Sequence, residues 1–257
     1  MFLTVLIKGS GFPRLRSSVT LLQSMGRTIL VDSGLCDDGP RLVRLLGDRG
    51  LSVDQIDTVV ASHLHYDHCG NHLLFRKAEY LVGAKDFEDT ALFVERYHRD
   101  ETEGKKATAE LLRSSYQSVK EFYVRSIVRE MTRNIAFYDA VLERGPRFLP
   151  IKGSHWLTKE VELLPTPGHT RGHLSVIAHR AQVDGEGPPL TVLVAGDAIF
   201  TNKSLNEQPG QELHLAADTQ LYCETRRKLL VEYSYIIPGH DGLVATPRAS
   251  LLATASI

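Results

Sequence analysis

The stretch that decides the fold is SHLHYDHCG, residues 62–70, which holds three histidines and one aspartate. Imidazole nitrogen and carboxylate oxygen are the ligands that zinc and similar first-row ions prefer. In an extended segment His63 and His65 point to the same side. The neighbours Asp67 and His68 must diverge at a turn. Two ligand pairs with different directions suit two metal ions better than one.

The histidines directly follow an apolar run. Residues 56–61, with Val59 and Val60 at their centre, predict a short buried strand. The candidate ligands therefore start in a loop that a rigid element holds. The alternative is a set of surface polar residues or a pH-sensitive cluster. The chain has eleven histidines in 257 residues, so three at this spacing favour a metal site over chance.

The composition is that of an ordinary soluble globular protein, with 42% hydrophobic and 24% charged residues. A formal charge of −1 creates no general attraction to nucleic acid or to a membrane. The apolar N-terminal run is too short for a signal peptide or a membrane span. Three cysteines without paired spacing fit a reducing compartment, and we expect the protein to be cytoplasmic. Cys69 can be a soft metal ligand, but a small buried packing residue is the favoured interpretation.

Strands and helices are expected along the whole sequence. Apolar or β-branched runs between turn residues predict strands at residues 2–7, 18–23, 28–31, 56–61, 78–82, 161–165, 174–179, 190–195 and 233–237. Helical spacing predicts helices near residues 42–46, 86–97 and 219–231. Residues 101–143 differ, because they lack proline and their apolar residues recur mostly three or four apart. We interpret this segment as a helical insertion at about 100–145.

Three more predicted strand ends carry potential ligands. At His169, Asp197 and His240, a glycine precedes a histidine or an aspartate just after an apolar run. Glycine lets the backbone turn tightly and bring a side chain to a crowded centre. Each feature is weak alone, since a histidine after Pro-Gly is more often a turn residue and Asp197 can cap the next segment. Four such features on four strand ends indicate one convergent site.

The motifs HLHYDH, PTPGHTRGH, AGD and PGH occur in this order, with VDSG upstream. In this combination the chain resembles the metallo-β-lactamase superfamily of metallohydrolases, over residues 32–240 apart from the insertion. The resemblance implies an α/β fold, the αββα metallo-β-lactamase sandwich, with a dinuclear metal centre at one edge. We expect a single metallo-β-lactamase-like domain over residues 1–257, with the helical insertion at about 100–145.

The resemblance also implies two divalent metal ions, with zinc as the first expectation and manganese, iron or cobalt as alternatives. The implied ligands are His63, His65 and His169 for the first ion, Asp67, His68 and His240 for the second, and Asp197 between them. Asp32 would orient one ligand from behind, and His173 would support the site without binding metal. A bridging water with a pKa near ~7 would supply hydroxide for attack on a carbonyl or a phosphorus atom. Asp67 would relay the proton.

Relatives within the superfamily differ in substrate. Glyoxalase II-type thioesterases share TPGHTxGH and GDxxF, but they hold glutathione with a C-terminal helical domain, and few residues follow His240 here. Acyl-homoserine lactonases are more similar in layout. They carry a tyrosine where Phe200 stands, and phenylalanine cannot donate a hydrogen bond to a substrate carbonyl. We expect hydrolysis of a small ester, lactone or thioester, with Phe200 beside the substrate.

The alternative function is that of a metal-dependent nuclease acting on RNA, because RNA-processing enzymes share this metal site. Arg125, Arg129 and Arg133 stand at i, i+4 and i+8 and would form a basic ridge for phosphates. The segment from Arg96 to Arg147 also holds eight acidic residues, Glu130 among them. This mixture favours a solvated helix face over a nucleic-acid site.

The apolar face of the insertion is expected to form a lid over the site, a homodimer contact, or both. Tyr116, Phe122 and Tyr123 are the candidates for lining an acyl pocket. The expected partners are a small-molecule substrate and no membrane, with nucleic acid only under the nuclease alternative. Structural metals or a diiron redox centre are further interpretations. Structural sites are normally closed four-ligand cages, however, and diiron flavoproteins usually replace the histidine at position 65 with glutamate.

Overall fold

The computed structural model describes residues 1–115, 121–143, 148–205 and 209–249. The strands in these ranges are β1 (Phe2–Ile7), β2 (Val19–Ser24), β3 (Arg27–Val31), β4 (Thr58–Val60), β5 (Glu79–Gly83), β6 (Phe148–Ile151), β7 (His155–Thr158), β8 (Val161–Pro165), β9 (Leu174–Val183), β10 (Glu186–Gly196), β11 (Tyr235–Pro238) and β12 (Val244–Ala245). The helices are α1 (Gly39–Gly47), α2 (Tyr66–Cys69), α3 (Ala84–Arg99), α4 (Glu101–Ser115), α5 (Glu121–Arg133), α6 (Ile135–Glu143) and α7 (Thr219–Glu232). None of the helices in the described ranges is long and apolar enough to cross a membrane.

The strands form two half-sheets that meet at one corner. One half runs β1-β2-β3-β4-β5-β6, and the other runs β12-β11-β10-β9-β8-β7. They join where β1 pairs with β9 at two positions, Phe2 with Gln182 and Leu3 with Val183. The main hydrophobic core cluster lies between the two halves and contains side chains from both. That cluster includes Leu22, Ile29, Val60, Val161, Val176 and Val192.

Helices cover the outer face of each half-sheet. Leu42 and Leu46 of α1 pack against Leu30 of the first half, all three fully buried. Leu229 of α7 packs against Leu193 of the second half. Each half-sheet is therefore apolar on both faces, one toward its partner and one toward a helix. The order helix, sheet, sheet, helix confirms the predicted αββα sandwich.

Most predicted strands are present with small shifts at their ends, and three strands were missed. Strand β6 contains Pro150, which argues against a strand, but β6 lies at the sheet edge, where a missing N–H donor is tolerated. Strand β7 reads HWLT and leaves Trp156 52% exposed, so it carries no apolar pattern. Strand β12 is only two residues long. The hairpin between β9 and β10 is tighter than the sequence indicated, with Asp184 and Gly185 both at positive φ.

The insertion is helical, as expected, and is divided into α4, α5 and α6. Val124, Met131 and Tyr138 are buried along its inner face. Strands β4, β8, β10 and β11 all deliver their following loops to one edge of the sandwich, beside this helical layer. This placement brings the four predicted ligand-bearing loops together.

Candidate metal centre

The loop after β4 places the first two histidines side by side. His63 is fully buried, and His65 lies just before the short helix α2. The Nε2 atom of His63 is 3.0 Å from Nδ1 of His65. The loop after β8 adds His169, whose Nε2 lies 3.1 Å from the same Nδ1. These three nitrogens form the first ligand set.

Gly168 explains how His169 reaches this point. Its φ of +135° is unfavourable for residues with a side chain, and a Cβ there would lie 2.5 Å from the backbone of Tyr222. Only glycine lets the loop pass this close to α7. The turn then directs His169 inward, where it is 2% exposed.

The second ligand set consists of Asp67, His68 and His240. Helix α2 carries Asp67 and His68, and the loop after β11 carries His240. The Oδ2 atom of Asp67 is 3.9 Å from Nε2 of His68 and 3.7 Å from Nε2 of His240. Asp67 and His68 were expected to diverge at a turn. They instead lie on helix α2 and belong to one ligand group, separate from that of His63 and His65.

Asp197 lies between the two sets. Its Oδ2 is 3.4 Å from Nε2 of His169, and its Oδ1 is 3.3 Å from Nε2 of His68 and also of His240. Gly196 precedes it at a φ of +52°, and a Cβ there would meet Ser62 at 2.8 Å. Asp197 Oδ2 is also 3.3 Å from Nε2 of His240. The carboxylate therefore contacts donors of both ligand sets, with Oδ1 beside the second set and Oδ2 beside a histidine of each.

The donor atoms fit divalent metal ions. His68 Nε2 and Asp197 Oδ1 are buried and lie 3.3 Å apart, but neither makes a hydrogen bond of acceptable geometry. Buried polar atoms without partners are costly unless they bind an ion. The set is nitrogen and oxygen only, which suits zinc, manganese, iron and cobalt. Cys69 contributes no ligand, because its Sγ donates to the carbonyl of His65.

The outer nitrogens of the second set are fixed by direct hydrogen bonds. His68 Nδ1 donates to Oδ2 of Asp32 at 2.8 Å, and His240 Nδ1 donates to the carbonyl of Arg16 at 2.8 Å. Asp32 also accepts from the backbone N–H and the hydroxyl of Ser62, at 2.7 and 2.9 Å. Each bond fixes the tautomer that leaves Nε2 facing the centre as a ligand.

Burial and neighbouring charges divide the histidines into two classes. Burial, reinforced by the other rings, holds the pKa of His63 well below its usual range. Burial likewise lowers the pKa of His65 to about 4 and depresses that of His169. Burial opposes charge on His68 and His240 too, but Asp197 and Asp67 outweigh it and raise both pKa values. The first set is therefore neutral at neutral pH, whereas the second attracts protons.

The remaining histidines lie outside the three ligand groups found among the described residues. His173 is fully buried, and its Nδ1 lies 2.8 Å from the hydroxyl of Thr166, with its ring against His63. His72 is buried, with Nδ1 donating to the carbonyl of Cys69. His98 pairs with Asp139 at 2.7 Å. His155 is exposed, His179 stacks on Trp156, and His214 contacts Phe122.

Two cavities adjoin the ligands. A cleft of about 560 Å³ opens beside His240 and is lined by Phe12, Phe200 and Lys203, among others. The ring of Phe200 lies 4.4 Å from that of His240 and 5.9 Å from that of Phe12. A smaller cavity of about 60 Å³ lies between His65 and the apolar face of the insertion. Phe200 is thus placed beside the centre.

The other three candidates for substrate contact, Phe122, Tyr116 and Tyr123, are not found beside the centre among the described side chains. Phe122 is 58% exposed, contacts His214, and is absent from the described residues that line these two cavities. Tyr116 lies outside the described residues, and the side chain of Tyr123 is likewise not among the described groups. The aromatic wall near the centre is instead formed by Phe12 and Phe200.

Sequence reasoning missed three residues next to the centre, namely Asp86, Glu130 and Tyr138. Glu130 was expected on a solvated mixed-charge face, and this was wrong. It is partly buried, both carboxylate oxygens lie within 3.0 Å of the Tyr138 hydroxyl, and burial raises its pKa to about 7. One signal was available, since Glu130 falls three residues after Ile127 and beside Met131, on the apolar stripe. The arginines on the opposite face are exposed, as expected.

Comparison with known proteins identifies the family of this chain. The family description "Metallo-beta-lactamase superfamily" matches residues 13–240. A probable metallo-hydrolase of Methanocaldococcus jannaschii is 24% identical over 216 residues, covering 84% of this chain and 72% of the relative. An N-acyl homoserine lactonase of a Bacillus species is 26% identical over 206 residues, covering 78% of this chain but only 62% of the lactonase.

Solved structures confirm the fold. A dizinc quorum-quenching lactonase, in complex with its product, matches with a TM-score of 0.66 at 17% identity, over 89% of this chain and 74% of that one. At this identity the likeness concerns the fold alone. The family match covers most of the chain, and the candidate ligands converge at the edge where the sandwich places them. The chain therefore belongs to the metallo-β-lactamase superfamily, as a metal-dependent hydrolase.

Proposed function

We propose that the protein is a dinuclear-metal hydrolase that cleaves a small ester, lactone or thioester. The observation that carries this proposal is the position of Asp197, whose carboxylate lies 3.3 Å from His68 and His240 of the second set and 3.4 Å from His169 of the first. A single ion would leave one set of buried donors without a partner. Two ions sharing Asp197 satisfy all seven ligands and leave coordination positions for a water and a substrate.

The chemistry divides between the ions and the side chains. Two bound divalent ions would supply an acidified water and polarise a carbonyl oxygen. Asp67 is the group that accepts the proton, because its carboxylate is 22% exposed and lies at the open side of the centre. His68 and His240 hold their rings in place through Asp32 and the Arg16 carbonyl.

The cleft beside His240 is the proposed substrate site. Its volume of about 560 Å³ is within the range of small-molecule sites, and Phe12 and Phe200 give it an apolar wall. Asn202 and Lys203 add polar groups on the other side. Phe200 offers no hydroxyl, so the substrate carbonyl is oriented by the ions rather than by this side chain. We therefore expect a range of esters and thioesters as well as lactones.

One experiment tests the proposal directly. Purified protein is analysed for metal content and assayed with acyl-homoserine lactones, S-lactoylglutathione, an aryl ester and single-stranded RNA. We expect two ions per chain and turnover of at least one ester, lactone or thioester. His63→Ala should lose metal and activity together, whereas His155→Ala, an exposed histidine outside the ligand groups, should keep both. Full activity in His63→Ala contradicts the proposal.

A specific observation favours the nuclease as a second candidate. Arg125, Arg129 and Arg133 line one groove of about 470 Å³ together with Lys105 and Arg113. Arg113 and Arg125 pair with Glu121, at 2.8 and 3.7 Å, which reduces the charge available to phosphates. RNA cleavage without ester turnover, lost in Asp197→Ala and weakened in an Arg129→Glu, Arg133→Glu double variant, would establish this function instead.

We also propose a homodimer formed through the helical insertion, and a cytoplasmic location. The apolar side chains of the insertion that face inward already pack on the domain, so a dimer would use its outer face. Light scattering of the purified chain tests the dimer, and localisation of a tagged chain tests the compartment. A monomer at micromolar concentration would reject the first expectation.

A further inference from the structure

The backbone of Leu64, between His63 and His65, is approached from the helical layer. The hydroxyl of Tyr138, on α6, donates to the Leu64 carbonyl at 3.1 Å, and Tyr138 is 1% exposed. The Leu64 N–H lies near the carboxylate of Asp86, on α3, and favours the charged form of that carboxylate. The two backbone polar groups of Leu64, which belong to successive peptide units, therefore face side chains outside the ligand groups.

Glu130, on α5, completes the first of these contacts. Its two carboxylate oxygens lie 2.8 and 3.0 Å from the Tyr138 hydroxyl, and the backbone N–H of Tyr66 lies near the same carboxylate. The hydroxyl has one proton, so when it donates to the Leu64 carbonyl its oxygen can accept a hydrogen bond from a protonated Glu130, which restricts its rotation. The pair thus contacts the loop on both sides of His65.

Asp86 also contacts the loop that carries His169, the third histidine of the first ligand set. One carboxylate oxygen accepts from the hydroxyl of Thr170 at 2.7 Å, and the other accepts from the backbone N–H of Gly172 at 2.7 Å. A Cβ at Gly172 would lie 2.4 Å from the backbone nitrogen of Asp86, so this approach requires glycine. Asp86 is 6% exposed and therefore links the loop of His63 and His65 to the loop of His169 away from water.

We propose that Asp86, Glu130 and Tyr138 are positioning residues that set the spacing of the first ligand set. The inference rests on the proposed metal centre and gives the helical insertion a role in building it. The ligand nitrogens of this set lie 3.0 and 3.1 Å apart, so small loop shifts change their fit to an ion. The second set depends on Asp32 and on the Arg16 carbonyl instead, so it should be spared.

The test measures the affinity of each site for Co²⁺. Full-length protein is freed of metal with a chelator and titrated with Co²⁺ against a chromophoric competitor, while the visible bands of bound Co²⁺ report its geometry. His169→Ala identifies which binding event belongs to the first set. Tyr138→Phe and Asp86→Asn should weaken that event by about 10–100-fold, as loss of supporting residues does, and alter its bands. The other event should stay close to wild type.

Matched variants separate positioning from loss of folding. Glu130→Gln has an amide N–H that can donate to the Tyr138 hydroxyl oxygen, and it should keep most of the affinity that Glu130→Ala loses. Thr132→Val is the control, because it removes a hydroxyl that donates to Val128 in the same helix and does not contact the loop. Its Co²⁺ affinities should match wild type.

Two results would overturn the inference. The first is that Tyr138→Phe and Asp86→Asn bind Co²⁺ with wild-type affinity at both sites. The second is that these variants weaken both sites equally and lose thermal stability to the same extent as Thr132→Val. Failure of the proposed function looks different, because wild-type protein would then bind two Co²⁺ ions and hydrolyse none of the esters, lactones or thioesters.

Discussion

The two ligand sets of the centre are held in different ways. The second set is fixed at its rings, because His68 and His240 donate directly to Asp32 and to the Arg16 carbonyl. The loops of the first set are held through backbone and hydroxyl contacts from the helical layer, chiefly at Leu64 and Thr170. The sheet and its loops thus hold the second ligand set, and the helices hold the loops of the first.

The sets also differ in charge. Burial keeps His63, His65 and His169 neutral, whereas nearby carboxylates raise the pKa of His68 and His240. A neutral set is ready to accept an ion, while a protonated set must first release protons. The comparison teaches that two ions sharing Asp197 can still differ in affinity and in pH dependence.

The largest effect is expected where the two sets meet. Asp197→Ala removes a ligand from both ions at once, so metal content should fall from two toward zero. Activity should fall by more than the ~10–100-fold that follows loss of a supporting residue. Elemental analysis and turnover of the best substrate measure both. Loss of only one ion would show that Asp197 is a ligand of one ion and does not bridge the two.

The order in which ions leave on acidification tests the charge difference. Protons bind His68 and His240 at higher pH than they bind the first set, because the pKa values are raised in one set and lowered in the other. As pH falls below neutrality, the second ion should leave first. Equilibrium dialysis at a series of pH values, followed by metal analysis, gives the order. Simultaneous release of both ions would contradict the expected difference in proton affinity between the two ligand sets.

Asp32→Asn tests the ring contacts of the second set. An asparagine can present an N–H to His68 Nδ1, which disfavours the tautomer that leaves Nε2 as a ligand. The second ion should lose about 10–100-fold in affinity. The first ion should lose less, since Asp32 reaches His63 only through the Ser62 hydroxyl, at 2.9 and 3.0 Å. Ser62→Ala removes that indirect path, together with the 3.3 Å contact between the Ser62 hydroxyl and His68 Nδ1. Equal losses at both sites in Asp32→Asn would contradict the assignment.

The smallest effect concerns stability without metal. Burial raises the pKa of Glu130 to about 7, above its value in the unfolded chain, so its contribution is present at low pH and is lost as pH rises toward 7. Glutamine does not titrate. The unfolding free energy of wild type minus that of Glu130→Gln should therefore fall between about pH 4.5 and 7, by at most about 1 kcal/mol per pH unit. Urea denaturation in the presence of a chelator measures the two unfolding free energies. A difference between them that stays constant with pH would contradict the raised pKa of Glu130.

The sequence predicts the candidate ligands at strand ends better than it predicts the side chains that support their loops. The positions of His63, His169, Asp197 and His240 follow from apolar runs that stop at glycine or histidine. The direction in which Glu130 points depends on how α5 packs against α3 and α6. The charged residues that surround Glu130 along the chain gave no indication of that packing. Strand β6 escaped prediction because only its edge position makes Pro150 acceptable.

The narrow junction between the half-sheets has a consequence for the whole molecule. The first half supplies His63, His65, Asp67 and His68, and the second half supplies His169, Asp197 and His240. Bound ions would therefore cross-link two half-sheets whose described strands pair with each other at two positions, between β1 and β9. The melting temperature should consequently depend on free metal concentration, which makes metal supply a determinant of how long the folded protein persists.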